Sequence, residues 1–135
     1  MKILHIITNV NTGGAISLLR KATSENIDNG IKHVVISLRK PSRNFEIANI
    51  DKIYSLNIDN KLFFFTKLFY LIKIIKKENP YIIQTWMYHS DLIGGIAGKI
   101  LGIRKIYWSI LTYSTKGNKY STQIIVRINA FLSHF

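Results

Sequence analysis

The 135-residue chain contains no cysteine. Disulfide staples, thiolate metal centres and a cysteine nucleophile are thereby excluded, and nothing argues for an oxidising compartment. Acidic residues are scarce: seven Asp and Glu stand against 19 Lys and Arg, a formal charge of +12. Carboxylates so few and scattered offer no evident acid–base pair, and no Asp-x-Asp is present to hold a divalent ion. The histidines, at positions 5, 33, 89 and 134, show no metal-ligand spacing, so no metal is expected. G-x-S-x-G, the serine nucleophile elbow, is missing as well. Long hydrophobic runs are also lacking. The longest, Leu62 to Ile75, is broken by Lys67 and Lys73, and falls short of the roughly 20 apolar residues of a membrane span. The opening MKILHIITNV has one lysine and a short apolar run that meets Thr8, Asn9 and Asn11. A signal peptide needs a longer run and a small-residue cleavage site. The stretch reads as a first strand, and the expected location is cytoplasmic.

Apolar residues make up 47% of the chain, which suits one globular domain with one buried core. Five Ile- and Val-rich runs read as strands: Ile3–Thr8, His33–Ser37, Ile53–Leu56, Ile82–Thr85 and Lys105–Ile110. They barely alternate in polarity, as expected of strands covered on both faces. Helical periodicity covers Ala15–Asn29, which stops before Gly30, and Leu62–Glu78, which stops at Asn79-Pro80. It also covers Asp91–Leu101 and Thr122–Phe135. Segment 39–52 is irregular: Arg39 to Asn44 form a basic polar loop, and Phe45–Asn49 is a candidate short helix. Alternation of strand and helix predicts an α/β fold, a Rossmann-like, doubly wound, mostly parallel sheet in a single domain over 1–135 that is expected to be incomplete.

Three loops follow predicted strands, at the edge where such sheets bind ligands. In Asn9-Val10-Asn11-Thr12-Gly13-Gly14-Ala15, two glycines let the backbone approach a ligand, and the following helix N-terminus favours a phosphate. The same residues also suit a tight turn with Asn11 or Thr12 as the helix cap. The motif is neither G-x-G-x-x-G nor a P-loop. The second loop runs from Gln84 to Gly95 and gathers Trp86, Tyr88, His89 and Asp91. Aromatic faces suit sugar rings, and His89 can donate to a hydroxyl or phosphate. Alternatively, Ser90 or Asp91 caps the next helix while Trp86 and Tyr88 belong to the core or its rim. Gly94, Gly95 and Gly98 mark a helix face packed closely on the sheet. The third loop, Tyr107 to Gly117, is rich in hydroxyls and carries Lys116, a second phosphate or hydroxyl contact if it is not a plain polar loop.

Taken in this order, the loops resemble the N-terminal domain of family 4 glycosyltransferases of the GT-B fold. Lys2-Ile3-Leu4-His5-Ile6-Ile7 with Thr12-Gly13-Gly14-Ala15 is similar to the family's opening strand and glycine loop. The segment from Pro80 to Gly95, centred on Trp86, is similar to the bacterial polysaccharide and O-antigen subgroup, and Ala130 to Phe135 matches the stretch leading to the family's next strand. The resemblance implies an acceptor-binding half that faces a donor-binding half across a cleft. The latter binds the nucleotide sugar, carries an E-x7-E motif, and is not seen in this sequence. It further implies sugar transfer with retention, without metal and without a cofactor beyond the nucleotide-sugar co-substrate. Gly13 and Gly14 then lie by the donor phosphates. One departure stands out: Thr112 occupies the position of the family's histidine. A hydroxyl hydrogen-bonds but holds no positive charge. Family members are about two to three times this length, so the chain alone is expected to be inactive.

The charge of +12 suits phosphate-bearing partners. Abundant Ile, Lys and Asn together also follow from coding-DNA base composition. With a glycosyltransferase, the partner is a lipid-linked or saccharide acceptor, or the anionic inner face of the plasma membrane. Leu62–Lys77, with its phenylalanines and lysines, suits interfacial docking or a core helix with a lysine-bearing outer side. The alternative class is a non-catalytic basic module binding nucleic acid or anionic membrane. The basic residues are spread along the chain with no nucleic-acid motif, so no nucleic acid is expected.

Overall fold

The protein is described by a computed structural model at residues 1–11, 13–25, 30–42, 47–58, 64–109 and 120–132. Five strands form one all-parallel sheet: β1 (Lys2–Ile7), β2 (Lys32–Ser37), β3 (Lys52–Ser55), β4 (Ile82–Trp86) and β5 (Ile106–Ser109). Their order is β3-β2-β1-β4-β5. The helices are α1 (Gly14–Ser24), α2 (Phe64–Glu78), α3 (Tyr88–Ile100) and α4 (Tyr120–Leu132). This is the Rossmann-like, doubly wound α/β arrangement, with its topological switch between β1 and β4. The sheet is parallel throughout.

Alternate residues of each strand build two cores, one per face. Leu4, Ile6, Val34, Ile36 and Ile83 face α2 and α3 and meet Leu71, Ile74, Ile75, Ile93 and Ala97. Ile7, Val35 and Trp86 face α1 and meet Ile16 and Leu19. α3 lies unusually close to the sheet. A Cβ added at Gly94 would stand 2.5 Å from Thr85 Cγ2, and one at Gly98 would stand 2.6 Å from Ile106 Cδ1. The glycines of this helix therefore serve close packing.

Helix ends differ from expectation where local hydrogen bonding overrides periodicity. α1 stops at Ser24 rather than Asn29. The Thr23 and Ser24 hydroxyls donate to the carbonyls of Arg20 and Lys21, at 3.0 and 2.9 Å, and so compete for the last turn. Its N-cap is Gly13, at φ 118°, and no side chain caps it. Asn11 instead bridges to the loop after β2, donating to the Lys40 carbonyl at 3.4 Å and accepting from the Ser42 amide at 2.7 Å. α3 starts at Tyr88, a turn before the expected Asp91, and Met87 rather than Ser90 or Asp91 occupies the N-cap. α2 stops where Asn79-Pro80 required. The candidate helix Phe45–Asn49 falls partly outside the described residues, and its remainder is non-helical. No helix among the described residues is long and apolar enough to cross a membrane.

The amino edge of the sheet is closed by Glu78, the last residue of α2. Its carboxylate accepts from Lys2 Nζ at 3.0 Å, Lys52 Nζ at 3.2 Å and the Tyr54 hydroxyl at 2.6 Å. A carboxylate at a helix C-terminus opposes the helix dipole, and these three donors offset that. The Tyr54 bond, followed by the lysines, holds Glu78 at a pKa of about 2 against its burial. The same bond raises Tyr54 to about 12.

Candidate functional site

Parallel strands deliver their connecting loops to the carboxyl edge, and the switch between β1 and β4 leaves a crevice there. Three loops converge on it. Thr8 ends β1, and its Oγ1 meets Ser90 Oγ of α3 at 3.0 Å. Arg39 follows β2, and its amide donates to the Thr8 carbonyl at 3.1 Å. Met87 follows β4, and its amide donates to the Ser109 carbonyl at 3.2 Å. These bonds stitch the ends of β1 and β2 to the start of α3. They bring Arg39 and His89 to one mouth, where both are exposed.

Two helices, α1 and α3, begin at this edge without a side-chain cap. Their first amides carry the partial positive charge of a helix N-terminus. At the head of α3, Met87 has φ 76° and ψ 155°, a region open almost only to glycine. That strain turns β4 sharply into the helix. His89 is held below its ordinary pKa by the partial burial of its ring and then by the nearby Arg39 charge. The mouth therefore combines a permanent cation, a neutral imidazole and two helix N-termini. That combination suits an anionic, hydroxyl-bearing ligand.

The sequence-predicted residues separate into two groups. Gly13, Gly14 and His89 are exposed at the carboxyl edge. Trp86, Tyr88 and Asp91 lie beneath it, at 4%, 6% and 0% exposure. Trp86 packs in the α1-side core, so its indole offers no open face to a sugar ring. Tyr88 gives its carbonyl to Asn129 Nδ2 at 2.9 Å, which fastens α4 to α3. Thr112 and Lys116 lie outside the described residues, as does Thr12.

Asp91 is a buried carboxyl under the mouth. Its Oδ1 lies 2.6 Å from Thr85 Oγ1, which is itself 3.3 Å from the Tyr107 carbonyl. Oδ2 has no partner among the described residues. Burial pushes Asp91 up to about 6, against the lowering effect of the Thr85 bond. The Thr85 hydroxyl has one proton to give. When Asp91 is protonated it donates to Thr85, and Thr85 donates onward to Tyr107. When Asp91 ionises, one of those bonds is lost.

A second buried polar group escaped the sequence reading. Trp86 Nε1 donates to His5 Nδ1 at 3.3 Å, which places the His5 proton on Nε2. That N–H donates to His33 Nδ1 at 2.9 Å. His33 Nε2 then has no partner among the described residues. Burial first, then the His33 ring, holds His5 down to about 3. The two histidines are 28 residues apart in sequence, but His33 pairs with Ile3, so both rings project from one sheet face. No group of three or more candidate metal ligands occurs among the described residues. Arg39, Thr8, Ser90 and Met87 were also missed as site residues. The usable signal was their position directly after β2, β1 and β4.

No protein-family model matches the chain, and no curated protein matches it. Solved structures do match. UDP-N-acetylglucosamine 2-epimerase from Rickettsia bellii aligns with TM-score 0.70 at 17% identity, covering 98% of this chain and 37% of that one. UDP-GlcNAc 2-epimerase from Methanocaldococcus jannaschii aligns with TM-score 0.72 at 14% identity, over 98% and 37%. MurG from Acinetobacter baumannii aligns with TM-score 0.67 at 15% identity, over 95% and 40%. The likeness is one of fold, that of a Rossmann-like half of GT-B-type enzymes. The chain spans well under half the length of these structures.

Proposed function

We propose that this chain is the acceptor-side half of a sugar-nucleotide-dependent glycosyltransferase. It binds a lipid-linked or saccharide acceptor at the carboxyl edge of its sheet and receives the sugar from a nucleotide-sugar donor held by a further domain. The reading places it in the cytoplasm, against the inner face of the plasma membrane, in bacterial polysaccharide assembly. Transfer proceeds with retention and without metal, as the family 4 resemblance implies. The observation that carries the proposal is the open mouth at the β1–β4 switch. There Gly13, Gly14 and His89 are exposed, on a fold of GT-B type. In this role the α1 and α3 N-termini and Arg39 bind phosphate oxygens, and the His89 imidazole donates to an acceptor oxygen.

Calorimetric titration with a short prenyl-pyrophosphate-linked sugar tests the reading. Binding is expected, and the chain alone should release no sugar from a nucleotide donor. Failure to bind any such acceptor, or unaided transfer by the chain, would overturn it. A second reading, nucleotide-sugar epimerisation, is favoured by the two epimerases among the fold neighbours. It predicts binding of UDP-sugars rather than of the prenyl-linked acceptor.

A further inference from the structure

α2 has an outer side that a core helix does not need. Leu71, Ile74 and Ile75 face inward and are buried. Pointing the other way, Phe65 is 80% exposed, Phe69 60% and Tyr70 48%. Lys73, Lys76 and Lys77 are exposed as well. At about 100° per residue, these six side chains fall within an arc of about 140° on one side of the helix. Phe65 and Phe69 are one turn apart, and Lys73, one turn further on, places Nζ 4.9 Å from the Phe69 ring centroid. The only carboxylate of α2, Glu78, is buried. The outer side is thus aromatic in its first half and cationic in its second, with no acidic residue. Because α2 runs back between parallel β3 and β4, its aromatic half lies at the carboxyl edge, beside the candidate mouth.

We infer that the outer side of α2 docks on an anionic lipid surface, with Phe65, Phe69 and Tyr70 entering the interface and Lys73, Lys76 and Lys77 meeting headgroup phosphates. Exposed aromatics favour transfer to the interface, where their rings sit at headgroup depth. Each lysine adds attraction that is screened by salt. The remaining chain charge favours the same partner: at +12 overall, a second copy of this chain would be repelled by the first. Docking through α2 would hold the carboxyl edge close to the lipid surface. The inference deepens the membrane placement of the proposed function; failure to bind vesicles would remove that placement, whereas failure to bind the prenyl-linked acceptor would remove the glycosyl-transfer reading.

Vesicle co-sedimentation of the full chain tests it, using phosphatidylglycerol-containing and pure phosphatidylcholine vesicles at low and high salt. Binding is expected to the anionic vesicles only, and to fall with salt. Phe65→Ser with Phe69→Ser should weaken it roughly tenfold or more. Lys73→Gln with Lys76→Gln and Lys77→Gln should weaken it by at least about tenfold and remove most of the salt dependence. Unchanged circular dichroism would show that these exposed substitutions leave the fold intact. As a gain-of-signal control, Phe65→Trp should show an emission blue shift on anionic vesicles. The inference is overturned if the wild-type chain ignores anionic vesicles, if it binds neutral ones equally, or if the variants bind as well as wild type. A concentration-dependent dimer abolished by the Phe65/Phe69 pair would also overturn it, assigning the surface to a second copy.

Discussion

The two edges of the sheet are built on opposite terms. At the amino edge, a buried carboxylate, Glu78, meets three donors from β1 and β3. At the carboxyl edge, two helices start without side-chain caps, Met87 is strained, and partial burial, then the cation Arg39, lowers the His89 pKa. Beneath them Asp91 keeps an oxygen without a partner among the described residues. At the amino edge the one local conflict, a carboxylate at a helix C-terminus, is offset by its three donors, whereas at the carboxyl edge the strained Met87 and the half-partnered Asp91 have no such offset among the described residues. Such conflicts persist where a site must be kept open for a ligand. The amino edge therefore holds the domain together, and the carboxyl edge is where the proposed binding is placed.

Breaking the amino edge should have the largest effect on stability. Glu78→Ala leaves two lysines and a tyrosine without their shared acceptor. The lysines are 30% and 55% exposed and recover some hydration, so a loss of about 2–3 kcal/mol is expected in chemical denaturation. The pH dependence has a definite sign. Glu78 is depressed from 4.5 to about 2 when folded. Its contribution is complete above about pH 4.5 and is lost as pH falls toward 2; Glu78→Gln should remove that dependence. His5 adds a separate acid-side loss between about pH 6.5 and 3, because its folded value is also depressed.

Disturbing the floor of the carboxyl edge should cost somewhat less. Gly94→Ala drives a methyl into Thr85 Cγ2 and Ile6 Cδ1, at 2.5 and 2.9 Å. It should lift α3 and lower stability by about 1–3 kcal/mol, read as a reduced denaturation midpoint. Asp91→Asn tests the opposite sign. Asp91 is raised from 3.8 to about 6 when folded, so its contribution is present below about pH 3.8 and lost as pH rises through about 6. The Asn variant should match or exceed wild type in melting temperature at pH 8, and its advantage should vanish at pH 4. A variant far less stable at pH 8 would show that the ionised carboxylate is needed. The smallest structural effect belongs to the mouth. His89→Ala and Arg39→Ala should change stability by no more than about 0.5 kcal/mol while weakening acceptor binding by roughly tenfold each.

Much of this architecture was legible because a parallel sheet covered on both faces leaves its mark as short Ile- and Val-rich runs. All five strands match the runs to within a residue at either end. The α2 stop at Asn79-Pro80 was equally plain, since proline cannot continue a helix. Helix starts were harder. α3 begins at Tyr88 after an N-cap, Met87, whose unusual backbone angles no residue type announces, so the polar Ser90 and Asp91 drew the expected start a turn too late. Both are in fact buried. Trp86 looked ligand-ready among polar neighbours. Strand parity puts it on the α1 face with Ile7 and Val35, information that appears only once β4 is paired with β1. The His5–His33 contact is likewise a product of register. Gly13, Gly14 and His89 were readable as edge residues because each lies in the short stretch that follows a strand signal, and all three are exposed. Arg39 became a site candidate only when the bonds through Thr8 brought it to His89.

The contrast between the edges is tested most directly by amide chemical-shift mapping of the full chain during titration with a prenyl-pyrophosphate-linked sugar. Saturable shifts should concentrate at Thr8, Gly13, Gly14, Arg39, His89 and Ser90, with Lys2, Lys52 and Glu78 unmoved. Shifts centred on the amino edge, or none at either edge, would contradict the assignment of binding to the carboxyl edge.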